Sequence, residues 1–398
     1  MAERGYFDYQ RIFLDFDLVS FRQKSGSEDF GVIQAGSESI AETTKLSLLG
    51  TIVLMTNEKS YRNRSVLHVI SCRWYGCSSL VFSNALDEDF IKTKEGPLAV
   101  EIADVFAIHD VARKKELPCK AYFPKMGGPY PLILFSHGFG ANKDAFATIS
   151  KHWASHGYVV IHPSHSDGSL RGNIQNRNEG GLEKPALRLP AGLVGALNDP
   201  EKIKARVADL VLILDNLDEV TKSTTGLQGK IDSNRIGVGG HSFGAYTAML
   251  IAGVTVDLGK TKALSLRDPR VRCILPISAQ GTGQQGLTNN SWNALQIPMM
   301  TITGSRDRGA ARQGVEWKKE PYKLSPPGDK YLVVIDGANH FSFGGGLGAR
   351  DGNATDSVKL CSTHFWDAYL KKSEFSRKYL QSEKPGKEAG HDFFLEEK

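Results

Sequence analysis

The chain has 398 residues, of which 23% are charged and 40% are hydrophobic, and its formal net charge is +5. This length and composition are typical of a globular protein with one α/β domain and an additional segment. The positive charge is small and is not concentrated in a basic tract, so the sequence does not indicate nucleic-acid binding. No apolar run reaches the length of a membrane-spanning helix.

The five cysteines are Cys72, Cys77, Cys119, Cys273 and Cys361. Their number is odd and their spacing irregular, so they predict neither a disulfide framework nor a zinc site. Cys273 lies in an apolar strand pattern, where a free cysteine is typical of a core. Cys72 and Cys77 could pair only if this part of the chain were exported. We expect no metal ion and no cofactor.

Residues 1–96 show no sustained helical or strand period, and no chemistry can be assigned to them. Within them, Arg62 to Arg64 precede a mostly apolar stretch, Val66 to Phe82, and small residues follow at Ser83 to Ala85. This pattern resembles an export signal that would operate if translation began near Met55, although Arg73 interrupts the apolar stretch. The favoured alternative is an irregular or poorly ordered segment of a cytoplasmic protein.

Regular patterns begin at Pro97, which divides the chain into three predicted parts: an N-terminal segment (1–96), a catalytic domain (97–371) and a charged, loosely attached C-terminal tail (372–398). Leu98 to Ile108 partly alternates, as a strand at a sheet edge does, and Leu117 to Phe123 predicts the returning strand.

The rest of the predicted domain alternates strands with helices. Tyr130 to Phe135 and Tyr158 to Pro163 are continuous apolar runs, typical of strands covered on both faces, and a helix is predicted between them. This order indicates parallel strands with right-handed crossovers. Further strands are predicted downstream, with a closing helix at Ser357 to Leu370; the strands are Val271 to Ile277, Gln296 to Thr303 and Lys330 to Ile335. The predicted fold class is α/β, with a mostly parallel central sheet and helices on both faces.

Two segments lie between the second buried strand and the middle of the domain. Ser164 to Asp199 is a long polar loop that leaves the carboxyl end of a strand, where ligands bind in open α/β sheets. We therefore expect it to form the rim or lid of a substrate pocket. Pro200 to Val220 has the apolar stripe of an amphipathic helix.

The most informative stretch is Gly240 to Gly244, a G-x-S-x-G pattern between a β-branched strand and an Ala- and Leu-rich helix. This pattern predicts a nucleophile elbow, in which Ser242 is exposed on a strained strand-to-helix turn. The helix N-terminus offers backbone N–H groups to a developing oxyanion. An ordinary glycine-rich turn is the alternative, because the pattern alone is weakly specific.

A serine nucleophile needs a base, and the base needs a carboxylate to orient it. In a sheet of this kind the acid and then the histidine follow the serine, each just beyond a strand. Asp307 and His340 satisfy both conditions, and we predict a Ser242–Asp307–His340 triad. Upstream, Ser136 to Gly140 follows an early central strand and could supply a second oxyanion N–H.

Other polar residues compete for these roles. Asp336 is expected to close a turn, His241 to pack beside the elbow, and His137 to stabilise the oxyanion loop rather than act as a base. A further group could line the pocket, and it could mimic a metal site, but its irregular spacing argues against one. This group is His162, His165 and Asp167.

From about residue 98 to 370 the chain resembles the α/β-hydrolase superfamily, and within it the platelet-activating-factor acetylhydrolase and dienelactone-hydrolase-like serine esterases. The resemblance is carried by three stretches: Phe135 to Gly140, Val207 to Asp215, and Lys230 to Gly244. It implies Ser242 as nucleophile, His340 as base, and the backbone N–H groups of Phe139 and Phe243 as oxyanion donors.

The chain departs from these relatives in two ways. In the acetylhydrolases proper the acid follows the strand after the elbow helix, where this chain has Ser278, so Asp307, one strand later, is expected to serve. In dienelactone hydrolases proper the nucleophile is cysteine, where this chain has Ser242. Neither group's substrate is therefore carried over.

The resulting expectation is a cofactor-independent serine esterase that acts on a small-molecule ester, with short-acyl lipid esters among the candidates. A serine peptidase or amidase, and a catalytically silent binding protein on the same fold, are the alternatives. The sequence does not fix the acyl-chain length or the oligomeric state.

Overall fold

A computed structural model of the chain describes residues 93–167, 192–345, 352–382 and 393–398, together with short strands in the first 92 residues. The chain divides into two compact units, Met1–Phe90 and Ile91–Lys398, which we describe separately. The predicted boundary near residue 97 remains a prediction.

The described part of the N-terminal unit consists of short antiparallel strands. Four strands form one sheet, and they are Arg22–Ser25, Glu28–Ile33, Ile52–Met55 and His68–Val69. Arg73–Trp74 pairs with Cys77–Ser78. Apart from these strands, the segment predicted to resemble an export signal lies outside the described residues.

The larger unit contains eleven strands among its described residues: β1 (Val100–Asp110), β2 (Lys115–Pro124), β3 (Tyr130–Ser136), β4 (Val159–Pro163), β5 (Ile231–His241), β6 (Val256–Leu258), β7 (Thr261–Leu264), β8 (Val271–Ile277), β9 (Met299–Gly304), β10 (Lys330–Ile335) and β11 (Phe393–Glu397).

Eight helices alternate with these strands in the described part of the unit: α1 (Ala147–Ser155), α2 (Leu193–Leu197), α3 (Pro200–Asp215), α4 (Leu217–Ser223), α5 (Phe243–Ile251), α6 (Val315–Leu324), α7 (Gly352–Leu370) and α8 (Glu374–Leu380). The single helix predicted over Pro200 to Val220 is in fact two, α3 and α4, which meet at Asn216. The backbone N–H of Asn216 still bonds to Leu212 and Ile213, but its side-chain amide also bonds to the Leu212 carbonyl, which favours a helix end there. Helix α6 contains the charged stretch Glu316 to Glu320 and was not predicted.

One sheet of nine strands, among the described residues, has the order β11-β10-β9-β8-β5-β3-β4-β2-β1. The six strands from β10 to β4 are parallel to their neighbours, whereas β11, β2 and β1 pair antiparallel. The predicted α/β-hydrolase fold, with a mostly parallel sheet, is confirmed. The expectation of an antiparallel hairpin at the start of the domain is also met by β1 and β2.

The sheet separates two hydrophobic cores, because side chains alternate between its faces along each strand. In β3, Leu132 and Leu134 pack in one core, whereas Ile133 and Phe135 pack in the other. Helices α3 and α5 cover the first core, and α1 and α7 cover the second. Fully burying an aliphatic or aromatic side chain of this kind stabilises the fold by roughly 1.5–3 kcal/mol.

The chain reverses its direction of winding between β3 and β5. Strand β4 lies on one side of β3, and β5 lies on the other. Adjacent loops then leave the carboxyl ends of β3 and β5 in opposite directions and open a crevice, which is where ligands bind in open α/β sheets. This topology brings the loop after Ser136 beside the turn after His241, since Gly240 pairs with Ser136 in the register.

The C-terminal segment differs from the loosely attached tail that was expected. Helix α8 buries Tyr379 and Leu380, and β11 pairs with β10 from Tyr331–Glu397 to Ile335–Phe393. Leu395 packs against the second core, and the charged composition of the segment hid this strand. In the described residues, no helix combines the length and hydropathy needed to cross a membrane.

Candidate active site

Ser242 lies at the turn between β5 and α5, in a backbone conformation (φ 55°, ψ −119°) that residues other than glycine rarely adopt. Such a conformation costs about 1–3 kcal/mol and persists only where the surroundings impose it. The surroundings leave no room for side chains on either side. A Cβ atom on Gly240 would collide with the Gly244 carbonyl, and one on Gly244 would collide with the Ser136 carbonyl. The two glycines of the pattern are thus required by close backbone approach.

The turn is fixed by the neighbouring strand as well. The backbone N–H of Ser242 donates to the carbonyl of Ile277, the last residue of β8, at 2.9 Å. The first N–H groups of helix α5 have no partner within the helix, because the first four N–H groups of any α-helix lack one. Phe243 is the first residue of α5 and directly follows the serine, so its N–H is among these groups. Its role as an oxyanion donor stays a prediction.

His340 and Asp307 lie together. Nδ1 of His340 is 3.1 Å from Oδ1 of Asp307, and the other oxygen of this carboxylate accepts a hydrogen bond from Oγ1 of Thr303 at 2.9 Å. Asp307 follows β9 and is fully buried, whereas His340 follows β10 and is partly exposed. With Nδ1 directed at the carboxylate, Nε2 of His340 remains as the nitrogen that can exchange a proton with a nucleophile.

Two further residues surround this pair, and the sequence did not assign either of them a role. Oγ of Ser278 is 2.9 Å from Nδ1 of His340, and the buried ammonium of Lys318 donates to both Oγ and the backbone oxygen of Ser278 at 3.0 Å. The ammonium also lies 4.0 Å from Oδ1 of Asp307. Ser278, which directly follows β8, thus brings a hydroxyl group into contact with the histidine.

The charge of Asp307 is stabilised by these neighbours. Burial by itself would raise the pKa of the Asp307 carboxyl, but the hydrogen bond with His340 and the positive charge of Lys318 lower this pKa to about 2. Burial also lowers the pKa of Lys318, and the charge of Asp307 opposes that effect. Asp307 is consequently ionised at neutral pH, as a residue that orients and stabilises an imidazolium must be.

His241 holds the segment that carries His340. Its Nε2–H donates to the backbone oxygen of His340 at 2.8 Å, and the two imidazole rings lie 4.8 Å apart. Burial, followed by the nearby His340, lowers the pKa of His241 to about 3, so this ring is neutral. Its position beside the elbow agrees with the role expected from the sequence, and it connects the residue before Ser242 directly to His340.

The loop Ser136 to Gly140 borders the serine from the other side. A Cβ atom on Gly138 would lie 3.5 Å from Cβ of Ser242, and the rings of Phe139 and Phe243 have centroids 6.1 Å apart. The two residues predicted to donate oxyanion N–H groups are therefore neighbours on either side of the elbow.

The polar residues that the sequence offered as possible pocket-lining groups are buried inside the fold. His162 is fully buried against Tyr122 and Phe135, with Nε2 2.7 Å from Oγ of Ser150. His165 and Asp167 belong to a second buried cluster, in which they contact Asp209 and Arg206. When a polar residue lies next to an apolar strand, the sequence does not show whether its side chain lines a pocket or is buried in the core.

The remaining competitor, Asp336, accepts a hydrogen bond from Oγ of Ser305 at 2.7 Å in an exposed turn, as expected.

Within the residues that the structure describes, no group of three or more His, Cys, Asp or Glu side chains is arranged to hold a metal ion. The expectation that the protein needs no cofactor stays a prediction.

Sequence comparisons connect this geometry to known proteins. The family model of platelet-activating factor acetylhydrolase, isoform II, matches residues 103–277. This match includes the loop at Ser136 and the elbow at Ser242, and it ends before Asp307 and His340.

Curated relatives match over similar parts of the chain. A platelet-activating factor acetylhydrolase of Canis lupus familiaris is 26% identical over 55% of this chain and 49% of its own length. The Bos taurus protein of the same name is 32% identical over 31% of this chain and 32% of its length. Cutinase est2 of Thermobifida alba is 23% identical over 56% of each. The chain therefore spans about a third to just over half of the length of these relatives.

Proposed function

Because this chain is an α/β-hydrolase related to serine esterases, we propose that it hydrolyses carboxylic esters through an acyl-enzyme formed on Ser242. The observation that carries the proposal is the pairing of His340 with Asp307, 3.1 Å apart, at the sheet edge where Ser242 sits on a strained turn. A strained serine beside a paired base and acid is the arrangement that nucleophilic catalysis requires.

In the proposed mechanism, Nε2 of His340 takes the proton of Ser242 as Oγ bonds to the ester carbonyl carbon. Asp307 stabilises the imidazolium that results. The oxyanion receives hydrogen bonds from the N–H groups of Phe139 and Phe243. The carbon–oxygen bond to the alcohol then breaks, and His340 returns the proton to the leaving alkoxide.

Deacylation repeats these steps with water. His340 removes a proton from a water molecule as its oxygen attacks the acyl carbon, and the proton passes to Oγ of Ser242 when the acid leaves. No additional oxidant, reductant or metal enters the balance. All the groups required come from the region 97–371, to which we assign the activity.

Small-molecule esters with a short acyl chain are the proposed substrates, and lipid esters are included among them. This part of the proposal is supported by the names of the relatives, which are acetylhydrolases and cutinases. A series of 4-nitrophenyl esters from acetate to palmitate tests it, and we expect kcat/KM to be highest for the shortest acyl chains. A maximum at long chains would contradict the short-acyl part alone.

The esterase activity itself is tested with 4-nitrophenyl acetate and the Ser242→Ala variant. Loss of a serine nucleophile lowers kcat by roughly 10⁶-fold in a comparable triad enzyme. Ser305→Ala is the matched control, because Ser305 lies at the same sheet edge and bonds to Asp336 rather than to the triad. Turnover that survives in Ser242→Ala would contradict the proposal, and a matched amide that is cleaved faster than the ester would instead favour an amidase.

The proposed location is the cytoplasm, and this rests on sequence patterns alone. Fractionation of cells that express the chain tests it, with export from a start near Met55 as the alternative outcome.

A further inference from the structure

A buried arginine contacts the oxyanion loop from beneath. Arg206 lies on α3, where only 2% of its side chain is exposed. Its Nη1 donates to the backbone oxygen of His137 at 2.7 Å and to Oγ of Ser136 at 3.3 Å. Its Nη2 also reaches the backbone oxygen of Gly138 at 3.4 Å. A guanidinium can make these bonds together because its donors lie in one rigid plane.

The arginine is itself fixed by a carboxylate. Nη2 and Nε of Arg206 lie 2.9 and 3.1 Å from Asp167, which neutralises the buried charge. Nη1 forms no hydrogen bond with this carboxylate, and both of its bonds go to the end of β3 and the loop that follows it.

His137 holds the same loop through a defined tautomer. The backbone N–H of His165 donates to Nε2 of His137 at 3.0 Å, so Nδ1 carries the ring proton. This Nδ1–H donates to the backbone oxygen of Gly138 at 2.7 Å. Burial, and then the positive charge of Arg206, lower the pKa of His137, which keeps the ring neutral and the tautomer unchanged.

The carbonyl of Gly138 is therefore held from several sides. His137 donates to it, the backbone N–H of Ala141 donates to it at 3.1 Å, and Arg206 lies within reach. This carbonyl and the N–H of Phe139 are the two ends of one planar trans peptide, so they point in opposite directions. Fixing the oxygen of Gly138 fixes the direction of the Phe139 N–H.

Arg206 also contacts the second predicted donor. Its guanidinium carbon lies 4.6 Å from the centroid of the Phe243 ring, which is fully buried. A cation over an aromatic face attracts it by about 0.5–2 kcal/mol. One side chain thus touches residues on both sides of Ser242.

We propose that Arg206 is a positioning residue which, together with His137, holds the Phe139 peptide group with its N–H directed at the oxyanion, and which also packs against the ring of Phe243, the second donor. The role rests on the proposed function, since it concerns the transition state of that reaction. A positive charge near the Gly138 oxygen also polarises the peptide and makes its N–H a stronger donor. Arg206 never touches the substrate.

Turnover by Arg206→Met and Arg206→Lys tests this role. Removing one oxyanion donor outright lowers kcat by about 10²- to 10³-fold, and misaligning donors should lower kcat by about 10- to 100-fold while KM changes little. Affinity for a trifluoromethyl ketone, whose adduct with Ser242 carries an oxyanion, should fall by the same factor as kcat/KM. Arg206→Lys keeps the charge but loses the planar fork, so it should restore only part of the loss.

Tyr158→Phe is the matched control for a general loss of stability. Tyr158 is fully buried on the opposite face of the sheet, where its hydroxyl donates to Asp367 at 2.6 Å. This variant should unfold at a lower temperature and keep the kcat of the parent protein. If Tyr158→Phe lowered kcat as much as Arg206→Lys at an equal loss of stability, the positioning role would be wrong.

Selective ¹⁵N-phenylalanine labelling gives a readout that does not need activity, because both predicted donors are phenylalanines. Arg206→Lys and Arg206→Met should shift the amide resonances of Phe139 and Phe243, and Tyr158→Phe should leave both unchanged. Unchanged Phe139 and Phe243 resonances in both Arg206 variants would overturn the inference, whether or not the protein hydrolyses esters. Absence of turnover in the parent protein, with the shifts present, would instead contradict the proposed function.

Discussion

Nδ1 of His340 lies 3.1 Å from Oδ1 of Asp307, although the two residues are 33 positions apart and follow different strands. The carboxyl ends of β9 and β10 are adjacent because these strands pair in parallel from Met299–Lys330 to Gly304–Ile335. The contact therefore follows from the sheet rather than from a local turn. The parallel strands of this sheet bring the carboxylate of Asp307, the imidazole of His340 and the elbow at Ser242 to the same edge.

Asp307→Asn should lower kcat by about 10³- to 10⁴-fold, because an amide in place of the carboxylate no longer fixes the tautomer of His340 or stabilises its protonated form. Steady-state turnover of 4-nitrophenyl acetate measures this. Asp336→Asn, a change of the same kind at the exposed end of β10, should leave kcat within about twofold. Equal losses in the two variants would contradict the assignment of Asp307 as the acid.

Ser278→Asp should restore activity to the Asp307→Asn variant by about 10- to 100-fold. Oγ of Ser278 is 2.9 Å from Nδ1 of His340, and the ammonium of Lys318 is in place to compensate a new carboxylate. Ser278→Asn in the same background is the control, since it adds similar volume without charge. Recovery that is no larger with Asp than with Asn would show that position 278 cannot serve as the acid.

Lys318→Met should lower the free energy of unfolding by about 3 kcal/mol, because it leaves buried Asp307 and the Ser278 oxygens without their cation. The neighbouring Lys319 pairs with the exposed Glu316, and Lys319→Met should cost no more than about 1 kcal/mol. Urea unfolding of both variants gives the comparison. A similar loss of unfolding free energy in the two variants would mean that the buried ammonium of Lys318 contributes little to stability.

Ser242→Gly should be more stable than Ser242→Ala by about 1 kcal/mol. Alanine keeps the strained backbone at φ 55°, whereas glycine adopts that conformation without a Cβ penalty. Since both variants lack the nucleophile, the difference between their unfolding free energies reports the backbone strain minus the roughly 0.5–1 kcal/mol that the greater freedom of glycine in the unfolded chain costs. Ser242→Ala being the more stable of the two would show that the turn is relaxed.

The candidate site residues that could be predicted from the sequence share one property. Each of them follows an apolar strand that is readily recognised. Ser242, Asp307 and His340 come after β5, β9 and β10, and parallel strands align their carboxyl ends. Topology alone then predicts that the three meet at one edge of the sheet. The fold class followed from the same alternation of strands and helices.

The residues that sequence missed are buried charges on helices. Lys318 lies in a charged stretch, Glu316 to Glu320, whose composition is typical of a solvated face, and nothing in it indicates which lysine turns inward. Arg206 did carry a signal, because it follows Ile203 by three positions and precedes Asp209 by three, on the stripe that α3 buries. A charge on an apolar stripe requires buried partners, but the pattern does not name them.

The C-terminal strand was hidden for a related reason. Phe393 to Glu397 is short and ends in charges, so its pairing with β10 depends on an edge that only the folded sheet provides.

The most direct test of the account is covalent labelling by a fluorophosphonate, with the modified residue located by mass spectrometry of peptides. The account predicts one adduct on Ser242, no adduct at that position in Ser242→Ala, and labelling slowed by orders of magnitude in His340→Ala. An adduct on a different residue, or a parent protein that acquires none, would contradict the claim that Ser242 is an activated nucleophile.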